Sequence, residues 1–417
     1  MKPIRMSTLG KLVWLLVIFV FIVIISFMIS LFKKEKDYQK VEPVSKDEEK
    51  VVNYTSTKST IINFDEVLQV DSKDDVITLT ESETYKLSGN NDKYKFVIDA
   101  PNKVVKIMFS NFNTSILNNF IEVKAASKVI LEMAENTKNE FKAIEVDSDL
   151  TEEDDSKKSN IYIINSKVDI EIVGSGSAIV ETDFNFLMAE GNLDYSGPIV
   201  ELNSTNNAID VKGNVNVNGG VLYINSDSTA IKCNGNFTFA DGKIIVKTLE
   251  KPIDISGVFL INKGEILLAG GSEFQVPNAN SLQKTLILNF EQGTNKSLVL
   301  HDTQKVIMAY AGGKEYQHLL YSRSDLDASN YVLYAGGSIS GTKKYDLYEK
   351  VDDYLEDYQL TSPDFTNSTF AVPDLITIYN GIVKKWQLML SFFFIYNKIK
   401  VEVIIWKELV LHVIIME

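Results

Sequence analysis

A fixed offset of 22 residues runs through the middle of this 417-residue chain. NNAIDVKGNVNVNGGVLYIN begins at Asn206, STAIKCNGNFTFADGKIIVK at Ser228 and EKPIDISGVFLINKGEILLA at Glu250. A looser copy ahead of them carries Leu187, Gly191, Leu193, Tyr195, Ile199 and Leu202. Stacked on that offset, the columns are chemically uniform. Leu187, Ile209, Ile231 and Ile253 form one apolar column, and Val211, Cys233 and Ile255 the next. Gly191, Gly213, Gly235 and Gly257 align, followed by Leu193, Val215, Phe237 and Phe259, then Tyr195, Val217, Phe239 and Ile261. After a second glycine position (Gly220, Gly242, Gly264) come Val200, Leu222, Ile244 and Ile266, and finally Leu202, Ile224, Val246 and Leu268. Inward residues two apart mark three short strands per unit, separated by two glycine-marked turns and one polar turn.

A unit of 22 residues traces a perimeter of about 70 Å and cannot bury its own inward face. It must lie on the next unit at the strand spacing of about 4.8 Å, so that like stacks on like. The fold class is therefore all-β, a parallel β-helix of about nine coils. Cys233, in an inward column, reads as a packed core thiol. Upstream, FVIDAPNKVVKIMF from Phe96 and FIEVKAASKVILEM from Phe120 repeat at a slightly longer offset, so recognisable coils run from near Val76 to about Gly271. An acidic insert, DSDLTEEDDSKKSN from Asp147, reads as a solvated loop.

Several of these stretches resemble one clostridial family: DVITLTESETYKLSGN from Asp75, IEVKAASKVILEMAENTKNEF from Ile121, TAIKCNGNFTFADGKIIVK from Thr229, VIMAYAGGKEYQHLLYSRSDL from Val306 and YVLYAGGSISG from Tyr331. The resemblance, over residues 75 to 371, is to proteins with a carbohydrate-binding domain folded as a right-handed β-helix similar to pectate lyases. It implies a surface protein that binds cellulose-like or pectin-like polysaccharide without established catalysis. Coils of that family usually carry an Asp-Asp-Gly-Ile corner whose acids are calcium candidates. Here the corners read Asn206-Asn207-Ala208-Ile209, Ser228-Thr229-Ala230-Ile231 and Glu250-Lys251-Pro252-Ile253. Calcium wants six to eight oxygens with carboxylates among them, so no cofactor is expected and calcium at these corners is doubtful.

The outer segments differ in kind. Leu12 to Phe32 is a run of 21 uncharged residues, long enough to cross a hydrocarbon core of roughly 30 Å. It lacks the small-x-small end of a cleavable signal and reads as an anchor. The expected organisation is a cytoplasmic tail (1–11), a transmembrane anchor (12–32), a charged stalk (33–60), the parallel β-helix (61–275), a small C-terminal β module (276–372) and an apolar tail (373–417). The β-helix is placed outside the cell membrane. The final segment fits nothing upstream and reads as an extension past a frameshift.

Chemistry is bounded by absences. The net charge of −14 argues against nucleic acid, whose phosphates need a surplus of cations. The only arginines are Arg5 and Arg323, so an arginine base on the coils is excluded. Asp210 and Asp254 share a column two coils apart, about 9.6 Å by strand spacing and within the range for an inverting carboxylate pair. Lys232 lies between them, and the trio reads instead as an outward charge ladder. Binding asks less. Asn192, Asp194, Asn214, Asn216, Asn236 and Thr238 form an outward polar strip in register, suited to sugar hydroxyls or to satisfying turn backbones. Nine of the 18 tyrosines lie between Tyr310 and Tyr358. Tyr354 and Tyr358, beside Asp352, Asp353 and Asp357, are candidates for stacking on sugar faces. The expected partner is a polysaccharide, bound without turnover. A polysaccharide lyase or inverting hydrolase on the same β-helix is the alternative, and a structural adhesin or spacer with a protein partner is the third reading.

Overall fold

The computed structural model describes residues 56–360, apart from 67–71, 117, 145–160, 303–304, 327–330 and 356–357. The segment Leu12 to Phe32, both terminal tails, most of the stalk and all of the acidic insert lie outside the described residues. Within them every regular element but the isolated bridges is a strand.

The repeat closes into a parallel β-solenoid of about 9 turns. One coil consists of Asn185–Ala189, Leu193–Ser196 and Ile199–Ser204, and the next of Ile209–Val211, Val215–Val217 and Val221–Ser226. Each strand pairs in parallel with its counterpart one coil on, at the offset seen in the sequence: Leu187 opposes Ile209, Ile209 opposes Ile231, and Ile231 opposes Ile253. Three ladders result, here called the first, second and third faces. Upstream the coils are longer, and Val104–Thr114 serves as second and third strand at once, pairing with both Lys128–Met133 and Lys138–Ala143. The ladder begins with Ser59–Asn63, which pairs with Thr84–Asn91.

Alternation decides what each strand buries. In Phe237–Phe239 the outer pair is fully buried and Thr238 between them is half-buried. Phe237 meets Phe259 of the next coil edge to face, with ring centroids 5.4 Å apart. At the other end, Phe109, Phe112, Phe120 and Phe141 fill the wider coils. Cys233 is buried in the same core as a free thiol, and burial pushes its pKa up. The interior holds an apolar void of about 20 Å³ among residues such as Phe109, Phe186 and Ile209. That space admits about one water and no sugar ring.

Two polar columns satisfy the turns. Thr182, Ser204, Ser226 and Thr248 stack in register at the end of the third face. Their hydroxyls accept the N–H two residues on, from Phe184, Asn206, Ser228 and Glu250. Ser204, Ser226 and Thr248 also donate to carbonyls of the coil before, those of Phe184, Asn206 and Ser228. At the turn between first and second faces the glycine column brings backbones together: Gly235 N–H donates to Gly213 O at 2.9 Å, and Gly257 N–H to Gly235 O at 3.0 Å. A Cβ on Gly235 would lie 2.6 Å from the Gly213 oxygen.

Past Gly270 the chain reverses. Tyr316–Arg323 pairs antiparallel with the last solenoid strand, Glu265–Gly270, and with Thr285–Thr294. Asn278 N–H and Leu282 N–H donate to Phe259 O and Ile261 O, covering the end of the second face. A six-stranded antiparallel sheet follows in the order Ser338–Lys344, Leu347–Leu355, Val306–Tyr310, Leu298–His301, Val332–Ala335, Tyr358–Leu360. Its core, with Leu298, Leu300, Tyr310 and Leu333, packs against Tyr223, Ile245 and Leu267, which point outward from the third face. The tip of its hairpin adds polar ties. Tyr345 stacks on Tyr223 at 5.1 Å, and Asp346 meets Lys247 Nζ at 2.5 Å and accepts from the Tyr223 hydroxyl at 3.1 Å.

Two outcomes follow from this packing. Gly235→Ala drives a methyl into the turn beneath it and is expected to cost roughly 1–3 kcal/mol, read as a lower urea midpoint. Burial, backed by neighbouring acids, pushes the phenols of Tyr223 and Tyr321 up, and that of Tyr85 up to about 12. A raised phenol contributes stability that is whole below its unfolded value of about 10 and is lost as pH rises through the folded value. Stability should therefore hold to about pH 10 and fall above it, monitored by tyrosinate absorbance against circular dichroism.

Candidate functional site

The polar strip expected from the sequence divides into two columns with different work. Asn192, Asn214 and Asn236 sit at the glycine turn. Each side-chain oxygen accepts the backbone N–H of the coil ahead, from Asn214, Asn236 and Val258 respectively, all at 2.8 Å. Asp169 starts the series by accepting from Asn192 N–H at 2.7 Å. This asparagine ladder satisfies donors that the tight turn would otherwise leave without a protein partner.

Asp194, Asn216 and Thr238 form the second column, on the outer side of the second face. Asn216 donates to Asp194 at 2.9 Å. Lys128 lies 2.8 Å from Glu171 and 3.7 Å from Asp194. Burial lowers the Lys128 pKa, but the hydrogen bond and charge of Glu171, with Asp194 behind it, outweigh that and leave it raised. The column ends at Leu260, opposite Thr238. It is a short, internally paired patch.

The Asp210, Lys232 and Asp254 column stands in register as expected, but the charges pair differently. Asp210 is buried and bonds Lys212 at 2.8 Å within its own coil. Asp254 is exposed and meets Lys251 at 3.0 Å. Side chains two or three residues away reach the acids, so the between-coil ladder through Lys232 gives way to pairs within each coil. Among the described residues no three His, Cys, Asp or Glu side chains come together as a metal site.

A third grouping lies on the antiparallel sheet, away from the coils. Leu298–His301 and Val332–Ala335 are neighbours, with His301 opposite Val332. Leu298, Leu300, Leu333 and Ala335 point into the core, which sends His301 and Tyr334 to the other side as a diagonal pair. Their rings are stacked, 5.4 Å between centroids and 10° from parallel. Tyr354 joins them at 6.1 Å from His301 and 6.0 Å from Tyr334, tilted at just over 50° to both. All three are half-buried. His301 Nδ1 lies 2.6 Å from the Asp302 carbonyl. Because a carbonyl only accepts, Nδ1 carries a proton, and the ring's other nitrogen is Nε2. That nitrogen is enclosed without a hydrogen-bond partner among the described residues. The backbone of Tyr358 pairs with Ala335, next to Tyr334 on the same strand.

Of the residues singled out in the sequence, Tyr354 thus enters an aromatic cluster, and Asn192, Asn214 and Asn236 enter a backbone-satisfying ladder. His301 and Tyr334 were not singled out. The signal for them was the alternation in LVLH and VLYA, which places both on the outer side of their strands.

Over residues 73–347, more than half of the chain, the sequence matches the family described as carbohydrate-binding domain-containing protein. The chain belongs to this family. No curated protein and no solved structure matches it. The family match spans nearly all of the β-solenoid and the antiparallel sheet as far as Leu347, so it includes His301 and Tyr334 and ends before Tyr354.

Asn214→Ala removes the acceptor for the Asn236 N–H and is expected to cost about 0.5–1.5 kcal/mol of stability. Glycan retention in an affinity gel should stay at the wild-type level, since the ladder serves the turn.

Proposed function

We propose that this chain is a membrane-anchored, extracellular, non-catalytic protein that binds cell-wall-type polysaccharide, held by Leu12 to Phe32 and presenting a sugar platform on its antiparallel sheet. The observation that carries this reading is the cluster of His301, Tyr334 and Tyr354. Aromatic faces match the apolar C–H faces of pyranose rings, and half-buried rings held by a sheet lose little freedom on binding. Polar neighbours then fix orientation through sugar hydroxyls, as in small-molecule sites generally. Family membership supplies the ligand class.

Binding without turnover is favoured by the state of the acids. The pair whose spacing suits an inverting hydrolase, Asp210 and Asp254, is committed to Lys212 and Lys251. Asp210 is also buried, away from any polymer lying on the coils. The solenoid's role in this reading is to give the platform a stiff support.

Affinity electrophoresis with soluble cellulose derivatives and other cell-wall glycans tests the proposal. Wild-type protein should be retarded by at least one glycan with no new reducing ends or unsaturated products. Tyr354→Ala should weaken that retardation about tenfold, equivalent to about 1.4 kcal/mol, while leaving the circular dichroism spectrum unchanged. New reducing ends from wild-type protein would overturn the non-catalytic assignment.

A further inference from the structure

We infer that Asn218 is a site of spontaneous modification, converted to aspartate and isoaspartate by attack of the Gly219 backbone nitrogen, and that the fold withholds the same chemistry from Asn234. The chain holds three Asn-Gly pairs, beginning at Asn218, Asn234 and Asn380, and the last lies outside the described residues. An asparagine followed by glycine is the pair most open to this reaction, because glycine has no Cβ to shield the attacking nitrogen.

In the reaction the Gly219 nitrogen gives its proton to solvent and bonds to Asn218 Cγ. The Cγ–Nδ2 bond breaks, ammonia leaves, and a cyclic imide closes. Water then opens either C–N bond of the ring. One opening restores the backbone as aspartate, and the other routes it through the side chain as isoaspartate. Water is the only co-reactant.

The turn between Val215–Val217 and Val221–Ser226 leaves these atoms free. Asn218 is exposed, and its side-chain amide has no hydrogen-bond partner among the described residues. The chain is anchored on both sides, by Asn218 N–H to Tyr195 O at 2.8 Å and by Val221 N–H to Pro198 O at 2.9 Å. Between them the Gly219 N–H has no partner among the described residues. A Cβ built on Gly219 would meet only the Gly197 nitrogen, at 4.0 Å, so the ring has room to close.

Asn234 is exposed too, but its neighbouring nitrogen is engaged, with Gly235 N–H donating to Gly213 O at 2.9 Å. The space is also filled, since a Cβ on Gly235 would lie 2.5 Å from Asn214 Oδ1. Cyclisation there forfeits a hydrogen bond and presses on the coil before it. The turn one coil after Asn218 carries Asp241-Gly242, the acid counterpart of the pair. Gly242 N–H donates to the Asp241 carboxylate itself at 2.8 Å. The Lys263 ammonium and then that N–H hold the Asp241 carboxyl below its usual range, and an ionised carboxylate resists attack. Each event at Asn218 adds one negative charge to a turn anchored on both sides, so the coil keeps its register and product accumulates with the age of the chain.

The test incubates the full chain in detergent at mildly alkaline pH and follows both peptides by mass spectrometry. Labelled methyl transfer by an isoaspartate methyltransferase marks the rearranged product. In folded protein Asn218 should convert at least about tenfold faster than Asn234. In chain unfolded by urea the two should convert at similar rates. Gly219→Ala, which sets a methyl beside the nitrogen in open space, should slow Asn218 severalfold without moving the thermal midpoint. Equal rates at the two asparagines in folded protein overturn the inference. So does an Asn234 that stays slow in urea, since its protection would then owe nothing to the fold.

Discussion

Parallel hydrogen bonding between successive coils at one constant offset is the constraint from which the rest of this molecule follows. With a coil rise near the spacing of paired strands, whatever occupies a position in one coil sits directly on its equivalent in the next. Apolar columns then fuse into one continuous core, from Ile62 to Leu268, with Ile287 and Leu320 closing its end. Polar positions gain no such freedom. Every turn leaves backbone donors and acceptors that must find partners in the coil above or below. The hydroxyl column of Thr182, Ser204, Ser226 and Thr248 and the amide column of Asn192, Asn214 and Asn236 are two solutions to that one problem. Glycine solves a third, where Gly213, Gly235 and Gly257 let neighbouring turns approach closely.

This economy bears on where the proposed glycan site lies. Its most regular polar groups are spent on its own backbone, and its outward charges pair within a coil or across a few coils. Recognition needs groups with capacity to spare, and the proposed site lies where the repeat breaks. The antiparallel sheet at the end of the solenoid has no column to satisfy. Its outer side holds three half-buried rings in contact with one another. A repetitive solenoid and an irregular sheet thus meet, and Tyr223, Ile245 and Leu267 join them by turning an outer face of the rod into an inner one.

The legibility of the sequence follows the same division. Columns such as Leu187, Ile209, Ile231 and Ile253 were readable because repetition tests each residue against its equivalents, and the register pairs them as aligned. The identity of the turns was less open. Asn192, Asn214 and Asn236 look alike whether they face a sugar or a peptide N–H, because an amide serves both. The pairing of Asp210 with Lys212 escaped because alternation says which side a residue faces but not which neighbour a flexible ammonium reaches. His301 and Tyr334 lie 33 positions apart in a segment without repeats, and only the antiparallel register brings their rings together. Tyr354 was accessible to composition through its acidic neighbours, but its companions were not.

The reversal of direction at Tyr316–Arg323 has a further consequence. A stack of identical parallel turns carries no internal instruction to stop, and an open end offers a template to the next molecule. Here the last strand of the third face meets a partner running the opposite way, while Asn278 and Leu282 occupy carbonyls at the end of the second. Another chain arriving there finds the bonding direction wrong and the acceptors taken. The architecture most akin to a fibril is thereby kept finite, and a short piece of antiparallel chain acts as the terminator against polymerisation.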